Sequence, residues 1–129
     1  MNIEIRKYTL VDENQLFDLI EREGDEWVEY WQGENRAKYR KLLAECVNYL
    51  IFDGGTLCGY IRCRDDGGFG VYIFDLLVDK LYRGNGYGRL LMERVREDFP
   101  NDAVYVLGDV YPYYEGLGYK EEGKVYIVN

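Results

Sequence analysis

The sequence predicts an α+β fold, a mixed and mostly antiparallel central sheet of about six strands flanked by helices. Three features carry that reading. Between positions 49 and 78, apolar segments are separated by Asp53-Gly54-Gly55 and Asp65-Asp66-Gly67-Gly68, which mark hairpin turns and hence an antiparallel meander. Ahead of the meander, two stretches carry apolar residues at helical spacing. Behind it, a polar loop rich in glycine opens directly into a third helical pattern and then a buried strand, the order of a parallel crossover.

Taken in order, Ile3-Glu4-Ile5-Arg6-Lys7-Tyr8 alternates and reads as a strand. Thr9-Leu10-Val11-Asp12 resembles a capping box with aspartate in the place of glutamate. The helix it opens carries Leu16, Phe17, Leu19 and Ile20 on one stripe and stops near Gly24. Asp25 to Gly33 has no legible period and holds Trp27, Tyr30 and Trp31 among acids. A second helix is expected from Asn35 to Cys46, with Leu42, Leu43 and Cys46 buried. Tyr49 to Phe52, Leu57 to Cys63 and Val71 to Val78 are the strands of the meander. The last is nearly all apolar, as befits a strand covered on both faces. Gly88 to Phe99 is a helix with Leu91, Val95 and Phe99 on one face, closed by Pro100. Val104 to Leu107 is a buried strand, Tyr113 to Leu117 one or two helical turns, and Val125 to Val128 a final strand.

A chain of 129 residues suits one domain over 1–129, and 47% hydrophobic residues supply a continuous core. Twenty-one aromatics (5 Phe, 2 Trp, 14 Tyr) are too many for a solvated coil. Histidine is absent, so no Ser/His or Cys/His triad can form. Without CxxC or histidine no metal site is expected. Cys46, Cys58 and Cys63 are odd in number and widely spaced, which argues against a disulfide framework and for a reducing cytoplasm. No apolar run reads as a signal peptide or membrane span. A net charge of −8 disfavours nucleic acid as a partner and favours a cation.

The chemistry concentrates in Val78-Asp79-Lys80-Leu81-Tyr82-Arg83-Gly84-Asn85-Gly86-Tyr87-Gly88-Arg89. Glycines let backbone N–H groups turn toward a ligand, and the helix that begins at once adds unpaired N–H groups and the positive end of its dipole. Together they suit phosphate. From Lys80 to Arg89 there are three cations and no acid. Hydrogen bonds to a charged group contribute about 1.5–3 kcal/mol each, so several anchor a pyrophosphate. The spacing is not GxxxxGK[ST]. Nor is it GxGxxG, since Arg89 stands where the third glycine should fall and the preceding strand ends a meander.

Arg83-Gly84-Asn85-Gly86-Tyr87-Gly88 resembles the [Q/R]xxGx[G/A] segment of the GNAT acetyltransferases at every specified position. Tyr113-Tyr114-Glu115-Gly116-Leu117-Gly118-Tyr119 looks like the family's [FL]YxxxG[FY] segment. The element order fits along essentially the whole chain. The resemblance implies acetyl transfer from acetyl-CoA to an amine. It implies that the N–H groups of Arg83, Gly84, Asn85, Gly86, Tyr87, Gly88 and Arg89 hold the pyrophosphate. Leu76, Leu77 and Val78 would pair with the pantetheine arm like an added strand. The N–H near Leu76 would stabilise the oxyanion, and Tyr114 would protonate the departing thiolate as general acid. Many relatives carry a base at the position of Tyr72, which is a poor one. Asp75, nearest on the strand, is the candidate base, but simple alternation puts it on the face opposite Tyr72, Phe74 and Leu76 unless a bulge turns it. Asp109, acting through water, is the other candidate.

In the family the segment between the first two helices lines the acceptor side. Here Glu21, Glu23, Asp25, Glu26, Glu29 and Glu34 crowd that stretch around Trp27, Tyr30 and Trp31. Acids with aromatic faces attract cations, so Trp27, Glu26, Glu29 and Tyr30 are the candidate substrate-binding residues for a cationic small-molecule or peptide amine. An acidic helix end with its aromatics packed as core is the plainer reading of the same residues. The tyrosine-rich terminal strands suit a homodimer without requiring one. The rival function is a catalytically silent acyl-CoA-binding module acting as a sensor or partner protein.

Overall fold

The computed structural model describes residues 2–108 and 111–129. Five strands form one sheet in sequence order: β1 (Ile3–Lys7), β2 (Val47–Asp53), β3 (Thr56–Asp65), β4 (Val71–Val78) and β5 (Val104–Val106). The first four pair antiparallel, and β5 lies parallel to β4. The two glycine turns set the β2–β3–β4 registers, with Asp53 opposite Thr56 and Asp65 opposite Val71.

Helices cover both faces. α1 (Glu13–Glu23), a 3-10 segment (Asp25–Tyr30) and α2 (Asn35–Ala44) lie on one side, α3 (Tyr87–Asp98) on the other, and the short α4 (Tyr111–Gly116) follows β5. Asp12 fills the glutamate role of the capping box, accepting from the Thr9 N–H at 2.9 Å. Leu16, Phe17, Leu19 and Ile20 are buried against Leu50, Phe52, Tyr60 and Leu77. Leu91, Met92 and Val95 are buried against Tyr49, Ile51, Ile61 and Ile73. Successive residues of β2 therefore serve opposite layers, as the period of two requires. Burying each such side chain contributes about 1.5–3 kcal/mol.

Two expectations need correction. Cys46 is half-buried, since α2 ends at Ala44 before reaching it, and Leu42, within α2, is half-buried too. The described residues hold five strands, and Val125–Val128 are irregular and 74–97% exposed. The β-propensity of Val-Tyr-Ile-Val expresses fit to a pleated, half-buried surface, and no strand lies alongside to supply one.

Candidate active site

The middle of β4 departs from simple alternation. Arg62 faces Asp75 while Cys63 faces Ile73, so Phe74 is an extra residue and the strand bulges there. Ile73 packs toward α3, and so do Leu76 and Val78, three and five residues on. Leu77 packs toward α1 and α2, and Asp75 shares that side. The bulge thus sets Asp75 on the face opposite Ile73, two residues before it, while it stays on the face opposite Leu76 as alternation gives.

Asp75 is 5% exposed and fully engaged. Its Oδ2 accepts from Arg62 Nε at 2.5 Å and from the Tyr39 hydroxyl at 2.6 Å, and its Oδ1 accepts from the Tyr30 hydroxyl at 2.8 Å. Tyr39 and Tyr60 share a further hydrogen bond of 2.8 Å. Burial, then the charge of Asp75, pushes the Tyr30 hydroxyl up to about 12. The same causes raise Tyr39, and burial raises Tyr60. Burial works against the charge on Arg62, but the hydrogen bond and attraction of Asp75 outweigh it and hold the guanidinium above its usual value. At neutral pH the three tyrosines are donors and the arginine is charged. Sequence reasoning missed Arg62, Tyr39 and Tyr60. The legible signal was Arg62 itself, a charge inside Leu57–Cys63, which a buried strand tolerates only with a partner.

Beyond Ile73 the sheet opens. Among the described residues β5 pairs with β4 only from Val71 to Ile73, apart from one bond from the Leu107 N–H to the Ile73 carbonyl at 3.1 Å. Leu76, Leu77 and Val78, again among the described residues, pair with β3 on one side alone. The Asp79 N–H points to β3, bonding the Cys58 carbonyl at 2.7 Å. The Val78 carbonyl points the other way and accepts Arg83 Nε at 3.0 Å. By the period of two, the backbone groups of Leu76 also face the open side.

This open edge runs into the glycine loop. Gly84 (φ 85°) and Gly86 (φ 79°) occupy left-handed conformations, and a Cβ at either would meet nothing within 4 Å. Their need for glycine is dihedral, and they face open space. Gly86 caps α3, whose first i→i−4 bond is Leu90 N–H to the Gly86 carbonyl at 3.0 Å. The N–H groups of Tyr87, Gly88 and Arg89 precede that bond, as at any helix start. Tyr87 is anchored through its hydroxyl to Asp53 at 2.7 Å. Asn85 donates to the Tyr82 carbonyl at 2.9 Å, and Arg89 is exposed beside Glu93 at 3.7 Å. Arg83 binds both carboxylate oxygens of Glu23 at 2.7 Å.

α4 closes the other wall. A Cβ on Gly88 would lie 2.6 Å from the Tyr113 hydroxyl and 3.7 Å from a Leu76 methyl, so strand edge, loop and α4 converge there. Tyr114 stacks edge-to-face on Tyr113 with centroids 5.0 Å apart, lies against Gly108, and packs with Leu117 on the α3-side core. Asp109 lies outside the described residues.

The acceptor-side candidates occupy the 3-10 segment. Glu26 and Glu29 are exposed, while Trp27 and Tyr30 are half-buried. Tyr30 stacks on Tyr39 at 4.4 Å, and Trp27 lies 5.6 Å from Tyr30 and 6.2 Å from Tyr60. The aromatics therefore pack on the core and tie the segment to Asp75, while the acids face solvent.

A β4 edge without a second strand partner among the described residues runs into a glycine loop at a helix N-terminus, a geometry suited to anions. The family model described as "Acetyltransferase (GNAT) family" matches residues 13–119, and the chain belongs to that family. A GNAT family acetyltransferase from Streptococcus pneumoniae TIGR4 superposes with TM-score 0.74 at 25% identity, covering 98% of each chain. An aminoglycoside N-acetyltransferase in complex with CoA superposes with TM-score 0.76 at 14% identity, covering 99% of this chain and 94% of that one, a likeness of fold. The chloroplastic GCN5-related N-acetyltransferase 2 of Arabidopsis thaliana is 31% identical over 71 residues, 51% of this chain. The chain spans only 28% of that relative's length. Among the described residues no helix is long and apolar enough to cross a membrane.

Proposed function

We propose that the chain transfers an acetyl group from acetyl-CoA to a primary amine, a cationic small molecule or a peptide amine, in the cytoplasm. The observation that carries the reading is the side of Leu76–Val78 with no strand partner among the described residues, leading into a loop whose Gly84 and Gly86 face open space. Those residues fit the cofactor: an extended amide-bearing arm along the strand edge, and a pyrophosphate over Arg83–Arg89. When bound, acetyl-CoA supplies the activated thioester.

The Leu76 N–H serves as the oxyanion donor, since its backbone faces the open side. Tyr114 serves as the general acid, its phenol O–H donating to the departing thiolate. Asp75 serves as the base. Its Oδ1 carries only the Tyr30 hydroxyl, so a proton from the acceptor ammonium reaches it through Tyr30, which passes on its own proton as it receives another. Glu26 and Glu29, with the Trp27 and Tyr30 rings, attract the cation. The aminoglycoside substrate class of the neighbouring structure supports a cationic acceptor.

A thiol-release assay with acetyl-CoA against a panel of amines tests the reading. Turnover is expected with cationic amines, and Tyr114→Phe should lower kcat by about 10²-fold or more with little change in KM. A second reading, an acyl-CoA-binding module without turnover, is favoured by the engagement of Asp75 with Arg62 and Tyr39. It predicts tight CoA binding, no thiol release with any amine, and no difference between Tyr114→Phe and the parent.

A further inference from the structure

Two ion pairs of opposite polarity tie the last turn of α1 to the approach of the glycine loop. Arg22 donates to Asp79 at 2.9 Å, and Glu23 accepts on both oxygens from Arg83 at 2.7 Å. Arg83 spends its Nε on the Val78 carbonyl. The arginine that opens the loop pattern is therefore held by protein groups from two elements. Gly24 (φ 109°) follows Glu23 and leads at once into Asp25–Tyr30, where Trp27 and Tyr30 pack toward Tyr60 and Tyr30 binds Asp75. The end of α1 is one ion pair from the loop and one residue from the aromatic segment.

We propose that Glu23 is a positioning residue that couples occupancy of the glycine loop to the aromatic segment: an anion seated on the loop draws Arg83 away from Glu23, and the end of α1, then held by the Arg22–Asp79 pair alone, lets Asp25–Tyr30 shift. The inference rests on the cofactor reading above. A planar guanidinium fits phosphate as well as carboxylate, so the two acceptors compete for one donor. The Arg83 side chain is 48% exposed and that of Glu23 13%, so the pair is open to solvent and to salt from the arginine's side. An exposed guanidinium can exchange acceptors on binding, and Arg22 still ties the end of α1 to Asp79 when it does. Any such coupling is reciprocal, so a ligand on the aromatic segment alters affinity at the loop by the same factor.

Trp27 and Trp31 are the chain's two tryptophans, and they stand in this segment and next to it. Tryptophan emission therefore reports on it without a label. The whole chain is titrated with CoA, with binding measured in parallel by calorimetry and folding checked by thermal melts. CoA should shift the emission of the parent. Glu23→Gln should bind CoA about fivefold more tightly and show the shifted emission before CoA is added. Arg83→Gln should bind CoA about fivefold more weakly and give no shift. Weaker or unchanged CoA binding by Glu23→Gln overturns the coupling, as does an emission response equal to the parent's. CoA binding without any response in the parent overturns the coupling alone. No CoA binding to the parent overturns the cofactor reading and the coupling with it.

Discussion

A carboxylate buried beside a guanidinium is costly to disturb from one side. Asp75 and Arg62 are 5% and 7% exposed, and each is the other's charged partner. Removing the charge of Asp75 strands the guanidinium in the core, which should destabilise the protein by about 3–5 kcal/mol. Asp75→Asn is therefore expected to lower the urea midpoint strongly. Tyr30→Phe removes a single donor from the same carboxylate and should cost about 0.5–1.5 kcal/mol. Similar small losses in both variants would mean that the ion pair is not what holds this region. The comparison also bears on catalysis. If Tyr30→Phe keeps its stability but loses activity, the proton route through that hydroxyl gains support independent of folding.

At the scale of elements, what was legible in the sequence followed how local its cause was. The glycine turns and the loop at Arg83–Gly88 were legible because their requirements, positive φ and space, belong to the residues themselves. The β4 bulge was not, because an extra residue at Phe74 exists only relative to the register of β3. Alternation alone therefore kept Asp75 on the face opposite Leu76, as found, but not opposite Ile73, and Arg62, its partner across the strands, went unremarked. The final strand failed for the converse reason: Val125–Val128 have the local preference but no neighbouring edge. The loop gives the sharpest test of locality. Gly86→Ala keeps a clear space for the methyl but forces φ 79° on an L-residue, which should cost about 1–2 kcal/mol. To the extent that the alanine relaxes toward ordinary helix dihedrals, the N–H groups of Tyr87 to Arg89 turn away and CoA affinity falls about tenfold. Calorimetry checks the affinity. Unchanged CoA binding by a folded Gly86→Ala variant would separate the loop from the ligand.

For the whole molecule, charge is distributed against its two proposed ligands in opposite ways. The chain carries 24 acids against 16 lysines and arginines, yet Lys80 to Arg89 holds three cations and no acid. Glu26 and Glu29 project from the 3-10 segment into solvent, while Glu23 is taken up by Arg83. A polycationic amine approaching that segment is attracted by the near acids and by the net charge of −8. Such attraction acts over a Debye length, about 10 Å at 0.1 M salt and about 30 Å at 0.01 M, so salt should weaken it. The KM for a polyamine is expected to rise about three- to tenfold from low to physiological ionic strength with kcat steady, and the KM for an amine carrying a single charge should move less. Glu26→Gln with Glu29→Gln should raise the low-salt KM of the polyamine and flatten its salt dependence. Those side chains are exposed, so melting temperature should hold and the change can be read as steering. A salt response identical in parent and double variant would remove these two acids from acceptor recognition and leave the segment's aromatics to their packing role.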